Sequence, residues 1–348
     1  MNKKLISSLL ILVILINISA CSTAKKIRYE AEFLELFDTI TKIVGYTDNK
    51  EEFSSYTQLI YDDLKEYHEL YDIYHTYEGV NNIKTINDNA GIKPIKVDQK
   101  IIDLLLFSKE KYLMTDGKVN IAFGAVLKVW HDYRTEGIDN PENAKLPPME
   151  LLKEKVEHTD INKVIIDEVE STVYLMDSEM SLDVGAIAKG YATERVSNTL
   201  IGKGFTNWMI SVGGNVRTIG TKGDGKLEWN VGIQNPDLEA SDDYLAILSL
   251  SDMSLVTSGN YERYYTVGDK QYHHIIDSET LMPSEYFTAV TIICRDSGVA
   301  DALSTAVYNM SFEEGLALIE ELPDTEALWV YKNGELKYSS HFQEYITK

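Results

Sequence analysis

The spacing of apolar positions predicts most of the elements of this chain. Tyr56, Leu59, Ile60, Leu64, Tyr67 and Leu70 recur at intervals of three and four, so residues 53–71 are predicted as a helix with one apolar face. Before it, Phe33 to Tyr46 alternates with β-branched residues at its centre and reads as a first strand. NDNAG at 87–91 is turn chemistry, and Val97 to Met114 reads as a second helix closed by Asp116-Gly117. The pattern assigns no element to residues 118–137. Gly137, Pro141, Pro147 and Pro148 make 136–148 an exposed loop, followed by a helix at 149–157.

Strands are expected at 163–168 and 171–176, then a glycine-entered helix at 185–203. From Asn207 to Ser258 strand follows strand at hairpin spacing. More strand is expected at 272–276 and 288–294, helices at 299–309 and 312–321, and short strands at 326–331 and 336–340. Helices first, a mostly antiparallel sheet in the middle and helices packed around it predict an α+β fold. The expectation is a single domain over residues 31–345, in one or two lobes.

The first residues read differently. Lys3 and Lys4 precede an apolar run, Leu5 to Ile18, that is too short for a comfortable membrane span. It ends in Ile18-Ser19-Ala20-Cys21, which resembles a bacterial lipobox. The expectation is a signal peptide over residues 1–20, cleavage before Cys21, and lipidation of Cys21 by acyl chains such as palmitate. Residues 21–30 would then tether the protein to the extracytoplasmic face of the cell membrane. An ordinary secretory signal with an incidental cysteine is the alternative.

Composition narrows the function classes. The 348 residues are 44% hydrophobic and 25% charged, an ordinary globular balance. A formal net charge of −22 argues against nucleic-acid binding by the domain as a whole. Beyond Cys21 only Cys294 remains, in the apolar run AVTIIC, where it reads as a buried strand residue. Two cysteines and scattered histidines give no zinc pattern.

Five segments carry candidate chemistry. In VADALSTAVYNM (299–310), Asp301 and Thr305 fall one helical turn apart, so a carboxylate and a hydroxyl could share a hard cation. Alone, an aspartate in the first turn of a predicted helix would equally serve the helix dipole. In DVGAIAKGYATE (183–194), Gly185 and Gly190 permit close backbone approach to a ligand, and the helix start offers free N–H groups beside Lys189. The segment is neither a P-loop nor a GxGxxG fingerprint, and alone reads as a strand-to-helix turn. Gly213-Gly214 in SVGGNV (211–216) suits either a β-turn or a ligand lying on backbone. TSGNYERYY (257–265) sets Ser258 and Gly259 before Arg263. In YHHIID (272–277), His273 and His274 on a strand would face opposite sides.

In this order the five segments resemble the ApbE family, the FAD:protein FMN transferases. The resemblance covers about residues 33–340, with its specific motifs in 183–310. It implies that Asp183, Gly185 and Lys189 line a flavin nucleotide site and that the Ala186 carbonyl reaches a metal. It places Gly213, Gly214 and Asn215 at the dinucleotide and Ser258-Gly259 near its phosphates, with Arg263 in support. His274 and Ile275 match an H-I-I-D element whose histidine is a proton acceptor or site organiser. Asp301 and Thr305 match Asp-Ala-x-x-Thr ligands for Mg²⁺, and His274 and Asp301 are the implied catalytic residues. Asp38-Thr39, Asn87 and residues 120–134 match weaker elements, in which Phe123, Gly124 and Trp130 could frame a flavin or adenine ring. The chain departs from the pattern after Asp277: Ser278-Glu279-Thr280-Leu281-Met282-Pro283 lacks the Pro and Gly of Asp-Pro-x-Thr-Gly-x-Pro.

The implied reaction moves FMN from FAD to a Ser or Thr hydroxyl of an acceptor flavoprotein, with release of AMP. Such acceptors include Rnf- and Nqr-type subunits and extracellular flavoproteins. An FAD pyrophosphatase that gives FMN and AMP would use the same site, and the sequence leaves it open. A non-catalytic FAD-binding lipoprotein is the third reading, against which the intact Asp301/Thr305 pair argues.

Overall fold

The computed structural model describes residues 26–347 except Asp224, Lys226, Leu238 and Glu262. Cys21 and the apolar run before it lie outside the described residues.

In chain order the elements are β1 (Ile27–Phe33), β2 (Thr41–Thr47), α1 (Lys50–Tyr71), α2 (Ile83–Asn87), β3 (Ile95–Lys96), α3 (Gln99–Met114), α4 (Gly124–Asp139) and α5 (Met149–Val156). There follow β4 (Val164–Asp167), β5 (Thr172–Leu175), α6 (Ala188–Gly202), β6 (Asn207–Val212), β7 (Asn215–Gly220), β8 (Trp229–Gln234), β9 (Tyr244–Leu250) and β10 (Ser254–Gly259). The last third holds β11 (Tyr264–Val267), β12 (Lys270–His273), β13 (Ala289–Cys294), α7 (Ser297–Tyr308), α8 (Phe312–Glu320), β14 (Glu326–Val330) and β15 (Leu336–Tyr338). The fold is α+β, as expected.

One eight-stranded sheet, ordered β1-β2-β6-β7-β10-β13-β14-β15, is antiparallel at every pairing. Period-two alternation sends neighbouring side chains to opposite faces. Along β2, Ile43 joins the core beneath α1, α3 and α6, while Val44 joins the core under the β8–β9 hairpin. Along β10, Leu255 faces that hairpin and Val256 faces α7. The central strand β13 is covered on both faces, which is why all six residues of AVTIIC are buried, Cys294 among them. Burial pushes the Cys294 thiol up to about 12.

Several boundaries differ from the sequence reading. The single strand expected over 33–46 is a hairpin, because Leu34 to Ile40 turn over with Phe37 and Asp38 at positive φ. β1 begins at Ile27 and so includes residues 27–30, assigned above to a tether; it pairs with β2 throughout. Residues 118–137, left without an element, contain most of α4. Its polar positions look out of phase because the helix buries one face on α5 and another on β11. The strand expected at 272–276 is half of the separate ribbon β11–β12.

Two helices cross at the centre of the molecule. Gly190 of α6 sits so close to α7 that a Cβ there would lie 2.2 Å from the Ser297 carbonyl and 2.5 Å from Cβ of Asp301. Gly190 is therefore required by helix packing, not by approach to a ligand. Below the crossing, the buried Glu194 accepts from Arg217 Nε and from Ser297 N, both at 3.0 Å. Burial raises the Glu194 pKa against the opposing pull of Arg217. Removing one partner of a buried pair strands the other charge. Glu194→Ala should destabilise the domain by about 3–5 kcal/mol, read from denaturant unfolding at pH 7; a change below about 1 kcal/mol would mean that Arg217 finds other partners.

Candidate active site

The crossing of α6 and α7 positions Asp301. The N-cap of α7 is Asp296, whose Oδ1 accepts from Gly298 N and Val299 N. Asp301 is thus one turn further in and does not serve its own helix terminus. Its Oδ2 instead accepts from Gly190 N at 2.8 Å, a first-turn amide of α6 that no residue of its own helix can satisfy. Asp301 is 4% exposed yet lines an open cleft. Burial raises its pKa, and Lys189 and the Gly190 amide pull the other way. One turn along α7, Thr305 lines the same cleft, with Oγ1 3.5 Å from Ser258 Oγ. Ser258 is held by Ser304 Oγ at 2.8 Å.

The loop before α6 forms the next wall. Asn87 clamps its start: the side-chain amide donates to the Leu182 carbonyl at 2.9 Å, and its oxygen accepts from Leu182 N at 2.7 Å. Asn87 does not reach the cleft; it fixes the backbone that presents Asp183, Gly185 and Ala186 to it. Asp183 Oδ1 accepts from Gly185 N at 2.8 Å, and burial raises the Asp183 pKa. The loop runs to Ile187, so α6 starts three residues later than the sequence suggests and has no side-chain cap. Lys189 lines the cleft and donates to the Gly185 carbonyl at 3.3 Å.

Gly213 and Gly214 are the two central residues of the β6–β7 hairpin, with φ of +55° and +85°. Positive φ at both is the I′ turn that suits the strand twist. Gly213 lines the cleft against Thr39, whose Oγ1 would be 2.6 Å from a Cβ at 213. Gly214 is exposed between Gly213 and Asn215 and is not among the residues that line the cleft; its positive φ serves the turn. Asn215 is buried at the cleft wall, as Gly259 is placed there by β10.

Nitrogen donors also line the cleft. Arg263, Arg134, His274 and His131 all line it. His274 Nδ1 lies 3.2 Å from the Arg263 carbonyl, where only an N–H can be accommodated, so Nε2 keeps its lone pair. Burial first, then Arg263 and Arg134, lower the His274 pKa to about 3. His273 is different. It is 8% exposed, its Nε2 pairs with the Ser284 carbonyl at 2.8 Å, and its ring meets Tyr308 edge-on. His131 accepts from Arg134 Nη2 at 3.0 Å and packs on Tyr74, ring centroids 5.1 Å apart. Tyr74, Lys118 and His131 were not singled out from sequence. Tyr74 and Lys118 lie in loops without a motif, His131 lies within the weaker match over 120–134, and the fold brings all three to the cleft.

Trp130 is both core and cleft wall. It is 4% exposed, and its Nε1 donates to the Leu281 carbonyl at 3.0 Å. That bond sits in the segment that lacks Pro and Gly. Leu281 takes φ +58°, a conformation that costs a non-glycine residue roughly 1 kcal/mol, and its buried side chain joins Phe123, Val126 and Trp130. Apolar burial thus holds a turn that glycine would adopt freely. Ile275, buried between this cluster and α7, also lines the cleft.

The residues that the five motifs assign to the site therefore line one cleft, except Gly190, Gly214 and the undescribed Cys21; of the weaker elements, Asn87 and Gly124 do not line it. The donors near Asp301 are hard oxygens, and among the described residues no group of three or more His, Cys, Asp or Glu could cage a metal.

A model of the ApbE family matches residues 37–329. An FAD:protein FMN transferase of Treponema pallidum (strain Nichols) is 34% identical over 274 residues, covering 74% of this chain and 73% of that protein. One of Klebsiella pneumoniae (strain 342) is 31% identical over 261 residues, covering 75% of this chain and 78% of that protein. Among solved structures, the ApbE protein of Thermotoga maritima MSB8 superposes with a TM-score of 0.79 at 28% identity, covering 92% of this chain and all of that one. The family match runs through nearly all of the described fold and takes in every wall of the cleft, and the chain belongs to the ApbE family.

Proposed function

We propose that this protein is a Mg²⁺-dependent FAD:protein FMN transferase. The observation that carries the reading is the buried Asp301 carboxylate, which lines one cleft with two arginines and a neutral histidine. The names of the relatives from Treponema and Klebsiella support it.

Asp301, Thr305 and the Ala186 carbonyl are the residues that would hold Mg²⁺. One carboxylate, one hydroxyl and one carbonyl fit an ion that keeps waters and takes substrate phosphate oxygens, and they do not fit an all-protein cage. When bound, the ion would supply charge neutralisation at the pyrophosphate. Lys189 in the first turn of α6 adds positive charge at the cleft. Arg263 and Arg134 line the same cleft and would meet the substrate's remaining negative charge. Trp130 and Phe123 give flat apolar surface for a ring.

The acceptor hydroxyl oxygen attacks the phosphorus on the FMN side of the pyrophosphate. That P–O bond forms as the bond to AMP breaks. His274 Nε2, unprotonated throughout the neutral range, takes the hydroxyl proton. The acceptor would be a flavoprotein that presents a Ser or Thr, such as an Rnf- or Nqr-type subunit or an extracellular flavoprotein. We infer further that the mature chain is lipid-anchored at Cys21 on the extracytoplasmic face of the membrane, on the strength of the Ile18-Ser19-Ala20-Cys21 segment. This location suits flavinylation of membrane and surface redox proteins.

Incubation with FAD, Mg²⁺ and an Rnf-type acceptor domain should give an acceptor heavier by one FMN, with AMP released only when acceptor is present. AMP and free FMN without acceptor would establish a hydrolase instead. Asp301→Ala should lower the metal-dependent rate by at least about 100-fold; a retained rate would remove Asp301 from the ligand set. His274→Gln is expected to lower kcat by about 10²–10⁴. The same variant has a thermodynamic signature. A histidine held below its usual 6.5 contributes stability that is present above about pH 6.5 and is lost as pH falls toward about 3. Between pH 6.5 and 4, unfolding free energy should therefore drop more steeply in the wild type than in His274→Gln. For the anchor, Cys21→Ser should move the protein from the membrane to the soluble fraction, and its retention in the membrane would rule out the lipid.

A further inference from the structure

The transfer reaction needs a way in for a protein segment, and the cleft around Asp301 is deep. A second cleft adjoins it. Lys270, Gln271, Tyr272 and His273 form one wall, and Pro283 to Tyr286 form the other. Tyr272 and His273 line both clefts, so the two are neighbours at β12.

Side chains alternate along a strand, so a void bordered by four consecutive residues runs along the strand's edge and not over one face. The hydrogen-bond phase agrees. His274 N donates to the Arg263 carbonyl, which makes 263/274 a bonded pair of the β11–β12 ladder. Pairs alternate in an antiparallel ladder, so 265/272 and 267/270 are bonded and 264/273 and 266/271 are not. The backbone N–H and C=O of Gln271 and His273 therefore point away from β11, into the second cleft. β12 has no second strand partner among the described residues, whereas β11 is covered by α4.

The far wall begins as a partner and then leaves. Ile276 bridges Pro283, and Ser284 N donates to the Ile275 carbonyl. Beyond Ser284 the two chains splay apart, and an exposed Lys270–Glu285 ion pair crosses the mouth. Such a pair is worth roughly 0–1 kcal/mol and opens readily. The unpaired stretch ends inward where His273 Nε2 and the Ile275 carbonyl bond Ser284, and an unpaired edge beside a reaction site is a template for strand addition.

We propose that the outer edge of β12 is the docking strand for the acceptor. An extended segment of the acceptor protein pairs with Gln271 and His273 along this edge, and a residue that flanks the paired stretch presents its hydroxyl to His274. The inference rests on the transferase reading and names how that site takes its second substrate.

The test uses the full-length protein in detergent and a purified Rnf-type acceptor domain. Gln271→Pro deletes the outward N–H and leaves the catalytic groups in place. It should raise KM for the acceptor about tenfold or more, with the FAD dissociation constant within twofold of wild type. Gln271→Ala keeps the backbone donor and should leave that KM within twofold. An unchanged acceptor KM in Gln271→Pro, or an equal rise in both variants, overturns the proposal. Should the proline variant not fold, hydrogen exchange on the FAD-loaded wild type decides: the amides of Gln271 and His273 gain protection when the acceptor domain is added, and no gain overturns the edge-pairing. A wild type that gains this protection but transfers no FMN refutes the transferase reading and leaves the docking edge standing.

Discussion

The reciprocal carboxylate contacts where α6 crosses α7 are the constraint on which the site depends. Asp301 of α7 satisfies the Gly190 amide in the first turn of α6, and Glu194 of α6 satisfies the Ser297 amide that opens α7. Each helix supplies the side chain that its neighbour's free N-terminal donors need. The contact is possible because residue 190 has no Cβ. With one oxygen committed to Gly190, the Asp301 carboxylate has a fixed orientation at the cleft wall. The ordering of the helix pair and the ordering of the candidate metal ligand are therefore one event.

The electrostatics of the cleft run against those of the chain. The protein carries a formal −22, but Arg134, Arg263, Lys189 and the start of α6 gather at one cavity. Exposed acidic groups are screened within about 8 Å at physiological salt, whereas charges at a low-dielectric wall act on a ligand directly. Burial, and then the two guanidinium groups, keep His274 neutral.

Legibility in the sequence followed contact range. Helices α1, α3 and α8 were readable because their apolar faces have a period of their own. Asp301 and Thr305 were readable because one helix carries both. Residues 118–137 were not: α4 answers to two different neighbours, so its buried positions show no single stripe. The hairpin within 33–46 was hidden because Phe37 and Asp38 turn at positive φ without a glycine to mark it. Gly190 and Gly214 were read as ligand contacts, since a glycine's sequence position does not show whether a helix, a turn or a ligand lies against it.

The sequence by itself determined the α+β class, the family and the motif residues that line the cleft, because those follow from local periodicity and from motifs that stay contiguous along the chain. Only the tertiary structure decided what each of them faces. It set Asp301 on Gly190, His274 against the Arg263 carbonyl with its Nε2 bare, Tyr74 on His131, and the β12 edge open to a second cleft. The reason is physical: a side chain's charge state and partners depend on what is packed around it, and here those neighbours come from segments as much as 151 residues away, as Leu281 is from Trp130.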